Sequence, residues 1–208
     1  GYQNLLKLVS RSFLETPSGE RPHITFDDLE RYAAGLIALT GGPSGAVGAL
    51  LAAGQVDAAS GILQHLMALF PGALYVELMR HGEALEDKID SSQIDLAYKF
   101  ALPLVATNNC YFSDPDMFEA HDALLCIAAG AHVGDRERRR LTPLYGFRSA
   151  EEMQEAFADV PEAIDNTVVI AQRCAFMPDE HAPILPTFAT LDGITETDQL
   201  RAEAEAGL

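Results

Sequence analysis

Residues Val105 to Ile127, VATNNCYFSDPDMFEAHDALLCI, decide the class of this fold. Leu104 to Thr107 form a short apolar run, the composition of a buried strand. A loop of polar side chains leaves its carboxyl end. Pro115 then suits the first turn of a helix running to about Ala128. Such strand–loop–helix units carry their chemistry at the carboxyl ends of the strands. The loop holds Asn108, Asn109, Cys110 and Tyr111, where a metal site wants carboxylate and imidazole. The layout of a metal site is there without its ligands.

The same alternation extends in both directions. Leu36 to Leu39 and Leu74 to Met79 read as two more buried strands. Tyr2, Leu5, Leu6, Val9 and Phe13 recur at helical spacing and predict an amphipathic first helix. Thr16 to Pro22 is a polar loop, and Thr25 caps a short helix from Asp28 to Ala34 that Gly35 stops. Helices are expected over Ala46 to Ala53 and Val56 to Leu69, and another carries Leu85, Ile89, Leu96 and Phe100. Ser149 with Glu152 is a capping-box pattern opening a helix over Ala150 to Ala158, and Pro161 starts the next. Met177 to Thr190 is proline-rich and reads as a linker before a final helix near Glu196. Strands alternating with helices predict a parallel α/β sheet. Three convincing strands are too few for a closed eight-stranded barrel, which leaves an open sheet or a partial one.

Composition narrows the function. The 208 residues are 48% hydrophobic and 22% charged, enough apolar material for a core. Lys plus Arg number 14 against 31 Asp plus Glu, a net charge of −17. Nucleic-acid affinity rests on cationic contacts, so most of this surface is not expected on DNA or an anionic membrane. The three cysteines, Cys110, Cys126 and Cys174, are widely spaced and form no CxxC; they read as small buried apolar residues in a reducing compartment. No apolar run has the length of a membrane span, and no basic-then-apolar leader opens the chain, so a cytoplasmic location is expected. Both ends fall inside helical patterns, as expected of a piece of a longer polypeptide.

Each candidate site has a plainer reading. The turn Thr40 to Gly45 follows a strand and precedes a helix, as phosphate-binding turns do, but lacks the P-loop lysine and the GxGxxG spacing; a tight turn is favoured. Glu77 alternates with Val76 and Leu78 and so points to the opposite face; a salt bridge, for example to Arg80, is favoured over metal binding for Glu77 and His81. His121 has Met117 and Leu125 at the helical positions where a second ligand belongs, so it reads as a hydrogen-bonded histidine tying its helix to the loop. Arg136, Arg138, Arg139 and Arg140 form the basic cluster, read either as a solvated loop neutralised by Asp135 and Glu137 or as a contact for an acidic partner or nucleic acid. No Ser/His/Asp set, paired catalytic acids or HExxH helix can be assembled, so the residues name no catalytic group.

Longer stretches carry a resemblance. GYQNLLKLVSRSFLE (1–15), GLIALTGG (35–42), YVELMRHGE (75–83), LPLVATNNCYF (102–112), EAHDALLCIAAGAHVGD (119–135), RSAEEMQEAFADVPEAIDNTVVIAQRCAF (148–176) and ILPTF (184–188) resemble, in order, the amino-terminal part of the bacterial DNA polymerase III alpha subunit family. That region is the PHP (polymerase and histidinol phosphatase) domain. The resemblance implies a distorted seven-stranded β/α barrel, present here in part, with residues 1–176 in the PHP segment and 177–208 forming the linker and the start of the following polymerase region.

The resemblance also implies a site. Metal-binding members end GLIALSGC in a cysteine ligand, where this chain has Gly42. They carry TNDxH after the third strand, where Asn109 replaces the aspartate and Tyr111 the histidine. An amide and a phenol are poor donors for a divalent ion. The strand with the family's HxH motif is placed before Gly1. The expected role is therefore a structural and interaction module of a polymerase, without catalysis or cofactor of its own, possessing a polymerase core, a proofreading exonuclease subunit and, through the parent protein, DNA as partners, but no membrane. Magnesium belongs to the parent's polymerase site. The alternative is an active metal-dependent phosphoesterase or 3′–5′ exonuclease.

Overall fold

A computed structural model describes residues 1–186, 188 and 193–208. They fall into two compact units, Gly1–Arg173 and Cys174–Leu208.

In the first unit, three parallel strands stand in chain order: β1 (Ala38–Leu39), β2 (Leu74–Met79) and β3 (Leu104–Thr107). Ala38 pairs with Leu74 and Leu39 with Tyr75, while Val76 to Met79 pair with Leu104 to Thr107. β2 is central and buried from Leu74 to Leu78, which explains its near-continuous apolar sequence. The expected bounds of β2 and β3 hold. The apolar run at Leu36 contributes only two paired residues, because Gly41 turns the chain away at once with φ 84°.

The helices are α1 (Tyr2–Leu14), α2 (Phe26–Tyr32), α3 (Ala46–Ala52), α4 (Val56–Leu69), α5 (Ala84–Lys99), α6 (Phe118–Ala129), α7 (Ala150–Ala156) and α8 (Pro161–Arg173). Pro115–Met117 form a 3₁₀ turn ahead of α6. The expected capping box forms, Ser149 with Glu152, and Thr25 caps α2 as expected, there too in a reciprocal box with Asp28. The core is built from Leu63, Leu74, Leu78, Ile89, Leu104 and Phe157, all fully buried. Each such side chain stabilises the fold by roughly 1.5–3 kcal/mol through burial alone. Asn166 of α8 donates to the Leu104 carbonyl at 2.8 Å and fastens that helix to β3. The α/β class and the partial parallel barrel are thus the observed architecture.

Helix α1 departs from expectation. Its stripe of Tyr2, Leu5, Leu6, Val9 and Phe13 is exposed, and Leu8 is its buried residue. The packing face is the polar one: Asn4 donates to the Ala34 carbonyl at 2.9 Å, and Arg11 reaches Asp28 at 2.7 Å. The cysteines depart too. All three are free thiols; Cys126 is buried, but Cys110 lies on the exposed loop and Cys174 just past α8, both in contact with solvent.

The second unit holds α9 (Glu196–Ala206), capped by Thr195 through the Asp198 amide at 3.2 Å. Of the linker expected over 177–190, residues 187, 189 and 190 lie outside the described ones; the rest has no helix or strand. Among the described residues no helix is long and apolar enough to cross a membrane.

Candidate functional site

The carboxyl ends of the three strands converge on a small polar cluster. Glu77 is buried there. Its Oε2 accepts the Gly41 amide at 2.9 Å and its Oε1 the Thr107 hydroxyl at 2.7 Å. The Glu77 amide in turn donates to the Thr40 hydroxyl at 2.9 Å. One carboxylate thus ties the ends of β1 and β3 to β2. It has no ion-pair partner among the described residues, so the expected bridge to Arg80 is corrected. Arg80, three residues on, leaves the cluster and lies between Asp90 at 2.9 Å and Asp159 at 2.5 Å, with its guanidinium over the Phe157 ring. That grip holds the Asp159 carboxyl below its ordinary range.

His81 is fully enclosed. The Asn109 amide donates to its Nε2 at 3.0 Å, so Nε2 carries the lone pair and the proton sits on Nδ1. Nδ1–H donates to Glu86 at 2.7 Å, and the His81 amide donates to the other oxygen of the same carboxylate at 2.5 Å. Burial favours the neutral acid, but these donors outweigh it and keep the Glu86 carboxyl below its usual range. Tyr145 stacks on the imidazole at 4.0 Å, and burial pushes its phenol up to about 12. Both ring nitrogens of His81 are therefore occupied, and the residue locks the loop after β3 onto the end of β2.

Two of the three positions at which the resemblance implies lost ligands, Gly42 and Asn109, are joined by the Met79 side chain. Glu77 and Met79 lie two apart on β2 and share a face. A Cβ added to Gly42 would meet the Met79 Sδ at 2.7 Å, and the Asn109 amide approaches the same sulfur at 3.8 Å. The thioether fills the space between the two positions. Tyr111 does not close on it; the ring is half-exposed and tilts against His121 and Tyr145, both at 5.6 Å. A methionine, an amide and an outward phenol do not make a site for a hard or borderline divalent ion. Among the described residues no three His, Cys, Asp or Glu side chains gather as metal ligands do.

The remaining candidates separate. The turn after β1 is a 3₁₀ turn, and a Cβ on Gly45 would overlap the Thr40 carbonyl oxygen, so close backbone contact requires glycine there. His121 is half-buried between Tyr111 and Phe112, and its Nδ1 has no hydrogen-bond partner. Ring packing, not the expected hydrogen bond, ties helix to loop. In the arginine cluster, Arg138 turns inward and grips Asp122 of α6 with two bonds of 2.6 Å, the side chains only 6% and 5% exposed. The pair holds the Asp122 carboxyl below its ordinary range. Arg136, Arg139 and Arg140 stay exposed. Sequence reading missed Met79, Thr40, Thr107 and Glu86. The signal for Met79 was its period-two relation to Glu77, hidden because a methionine at a strand end reads as core.

Comparison with known proteins finds relatives along the whole chain. A PHP-domain profile matches residues 1–81. The chain is 46% identical over 208 residues to the DNA polymerase III subunit alpha of Caulobacter vibrioides and 43% identical to that of Rickettsia bellii, covering all of this chain and 18% of each relative. It is 35% identical over 209 aligned residues to the subunit of Pseudomonas aeruginosa. The chain thus spans under a fifth of the length of these curated relatives, 18%.

Proposed function

We propose, for a chain that belongs to the PHP-domain region of the DNA polymerase III alpha subunits, a structural and interaction role in place of catalysis. The parent polypeptide is read as a replicative DNA polymerase performing templated DNA synthesis in the cytoplasm. Its magnesium and palm carboxylates are placed outside residues 1–208. Residues 1–176 are read as the PHP segment, and 177–208 as the linker and the start of the following polymerase region. Partners are the polymerase core of the same chain, the proofreading exonuclease subunit, and DNA through the parent.

One observation carries the non-catalytic reading: the Met79 thioether occupies the space between Gly42 and Asn109. A soft, neutral sulfur in that place favours packing over cation binding. His81 supports it, because both its ring nitrogens are taken by ordinary hydrogen bonds, to Glu86 and to the Asn109 amide.

A second reading, an active metal-dependent phosphoesterase or 3′–5′ exonuclease, is favoured by Glu77 alone, a buried carboxylate with no cationic partner among the described residues. Metal analysis of the full-length polypeptide separates the two. Substoichiometric zinc and manganese, with no phosphatase activity, is expected. Stoichiometric metal, with an activity lost on chelation, would overturn the structural reading. A pull-down of the exonuclease subunit by the intact domain tests the docking role.

A further inference from the structure

We propose that His81 is a proton-operated latch: a proton taken up at Nε2 expels the Asn109 amide and frees the loop 108–111 from the end of β2, while Glu86 keeps the imidazolium in place. His81 is fully buried, yet Asn109 and Cys110 at the tip of that loop are exposed. The Asn108 side chain donates to the Gly146 carbonyl at 2.8 Å and the Tyr111 amide to the Tyr145 carbonyl at 2.9 Å. These two bonds fasten the loop to its neighbour, residues 142–147. The Asn109 amide, donating to His81 Nε2 at 3.0 Å, fastens it to the end of β2, with the Asn109 side chain 3.8 Å from the Met79 sulfur beside it. A buried ring thus pins an exposed loop.

Nε2 accepts only while it is unprotonated. With a proton it becomes a second donor and meets the Asn109 N–H donor to donor. One of the two must leave, and the ring is the better held. Its Nδ1 meets Glu86 at 2.7 Å, Tyr145 stacks on it at 4.0 Å, and the Thr142 hydroxyl donates to the His81 carbonyl. A carboxylate and an aromatic face both hold an imidazolium more tightly than an imidazole. Glu86, despite its burial, stays below the usual carboxyl range, so the added proton goes to the ring and not to its partner. Glu83 at the start of α5 adds negative charge, while Arg139 and the phenols of Tyr111 and Tyr145 face the pair from the two loops. On the β2 side stand Arg80, paired with Asp90 and Asp159, and Arg148, which donates to the Arg80 carbonyl at 3.2 Å. Once freed, the loop draws Asn109 away from Met79 and opens the strand-end cluster to solvent. The inference does not rest on the non-catalytic reading, since it uses no cation and no catalytic group.

The test is hydrogen–deuterium exchange read by mass spectrometry on the full-length polypeptide, from about pH 5 to 8, where histidines change charge, with the rates corrected for the chemical effect of pH. Protection of peptides spanning 108–111 should fall as the pH drops, by up to about tenfold per pH unit, the slope of a single proton, while α8 keeps its protection. His81→Gln supplies an acceptor and a donor that do not titrate, and should abolish the slope. Glu86→Gln removes the counter-charge and should move the fall to lower pH. If His81→Gln unfolds, Glu86→Gln decides. Protection of 108–111 that does not vary with pH overturns the proposal. So does a slope that survives His81→Gln, or a fall in Glu86→Gln at the same pH as in the unsubstituted protein.

Discussion

Glu77 and Thr107 meet diagonally across two parallel strands, the Thr107 hydroxyl donating to the Glu77 carboxylate at 2.7 Å. The register pairs Glu77 with Val105 and Met79 with Thr107, so the contact is made by side chains on one face, one step apart. Thr107→Val keeps the shape of the side chain and removes the donor. The buried carboxylate is then left with the Gly41 amide as its remaining partner. A buried acceptor stripped of a partner costs about 1–3 kcal/mol. Urea unfolding should show a lower midpoint with an unchanged slope. An unaltered midpoint would mean that Thr107 does not help hold the strand ends together.

Helix α5 ends in a hydrogen-bonded C-terminal motif: Leu102 donates to the Ala97 carbonyl at 2.9 Å and Ala101 to the Tyr98 carbonyl at 3.2 Å. This motif places Ala101 in the left-handed region, at φ 51°. A Cβ in that region costs roughly 1–2 kcal/mol, partly offset by glycine's greater freedom when unfolded. Ala101→Gly should therefore raise Tm, by a net contribution of about 1 kcal/mol or less. A fall in Tm on calorimetry would contradict the motif.

What the sequence displays and what it hides follow a physical line. Period-two and apolar runs placed β2 and β3 at their observed ends, because burial on both faces leaves few polar residues to blur the limits. Ser149 and Glu152 were legible because a capping box is a local contact. Arg138 was not legible among its neighbours. Its partner Asp122 sits 16 residues away on α6, and only the fold decides which arginine of a run turns inward. The α1 stripe shows the reverse error, since periodicity gives a face but not what covers it.

Asp28 carries the clearest pH dependence. The Thr25 backbone amide, the Thr25 hydroxyl and Arg11 together hold its carboxyl at about 2 against an ordinary 3.8. A carboxyl depressed in the folded state stabilises above its unfolded pKa, and that contribution is lost as pH falls through the folded value. Stability should therefore decline as acid takes the chain from 3.8 towards about 2. Thr25→Ala removes the hydroxyl donor and should raise the Asp28 pKa in a carboxyl NMR titration, shrinking the acid-sensitive part of the stability curve. An unmoved Asp28 titration would show that the cap does not set it.

The Arg138–Asp122 pair should behave as a unit. Arg138→Met strands a nearly enclosed carboxylate, and Asp122→Asn strands a nearly enclosed guanidinium. Each single change should lower Tm clearly, while the double change should lose much less than the two added together, because no lone charge then remains buried. Simple additivity in a double-mutant cycle would show that the two groups act independently.

Met79 and Gly42 provide the decisive test of the plugged site. Gly42 lies at φ 53°, and a Cβ there would press on the Met79 Sδ at 2.7 Å. Gly42→Cys combined with Asn109→Asp and Tyr111→His restores the donors that the resemblance assigns to metal-binding relatives, but leaves the thioether in the way. Two penalties act on this triple variant, the left-handed backbone and the displaced methionine, so it should be less stable than the unsubstituted chain and hold no stoichiometric zinc. Adding Met79→Ala empties the space while leaving the backbone penalty in place. Part of the lost Tm should then return, and zinc affinity should rise relative to the triple variant when both are titrated against a competing chelator. If the triple variant binds zinc as well as the quadruple one, the thioether is no obstacle, and the non-catalytic reading loses the observation that carries it.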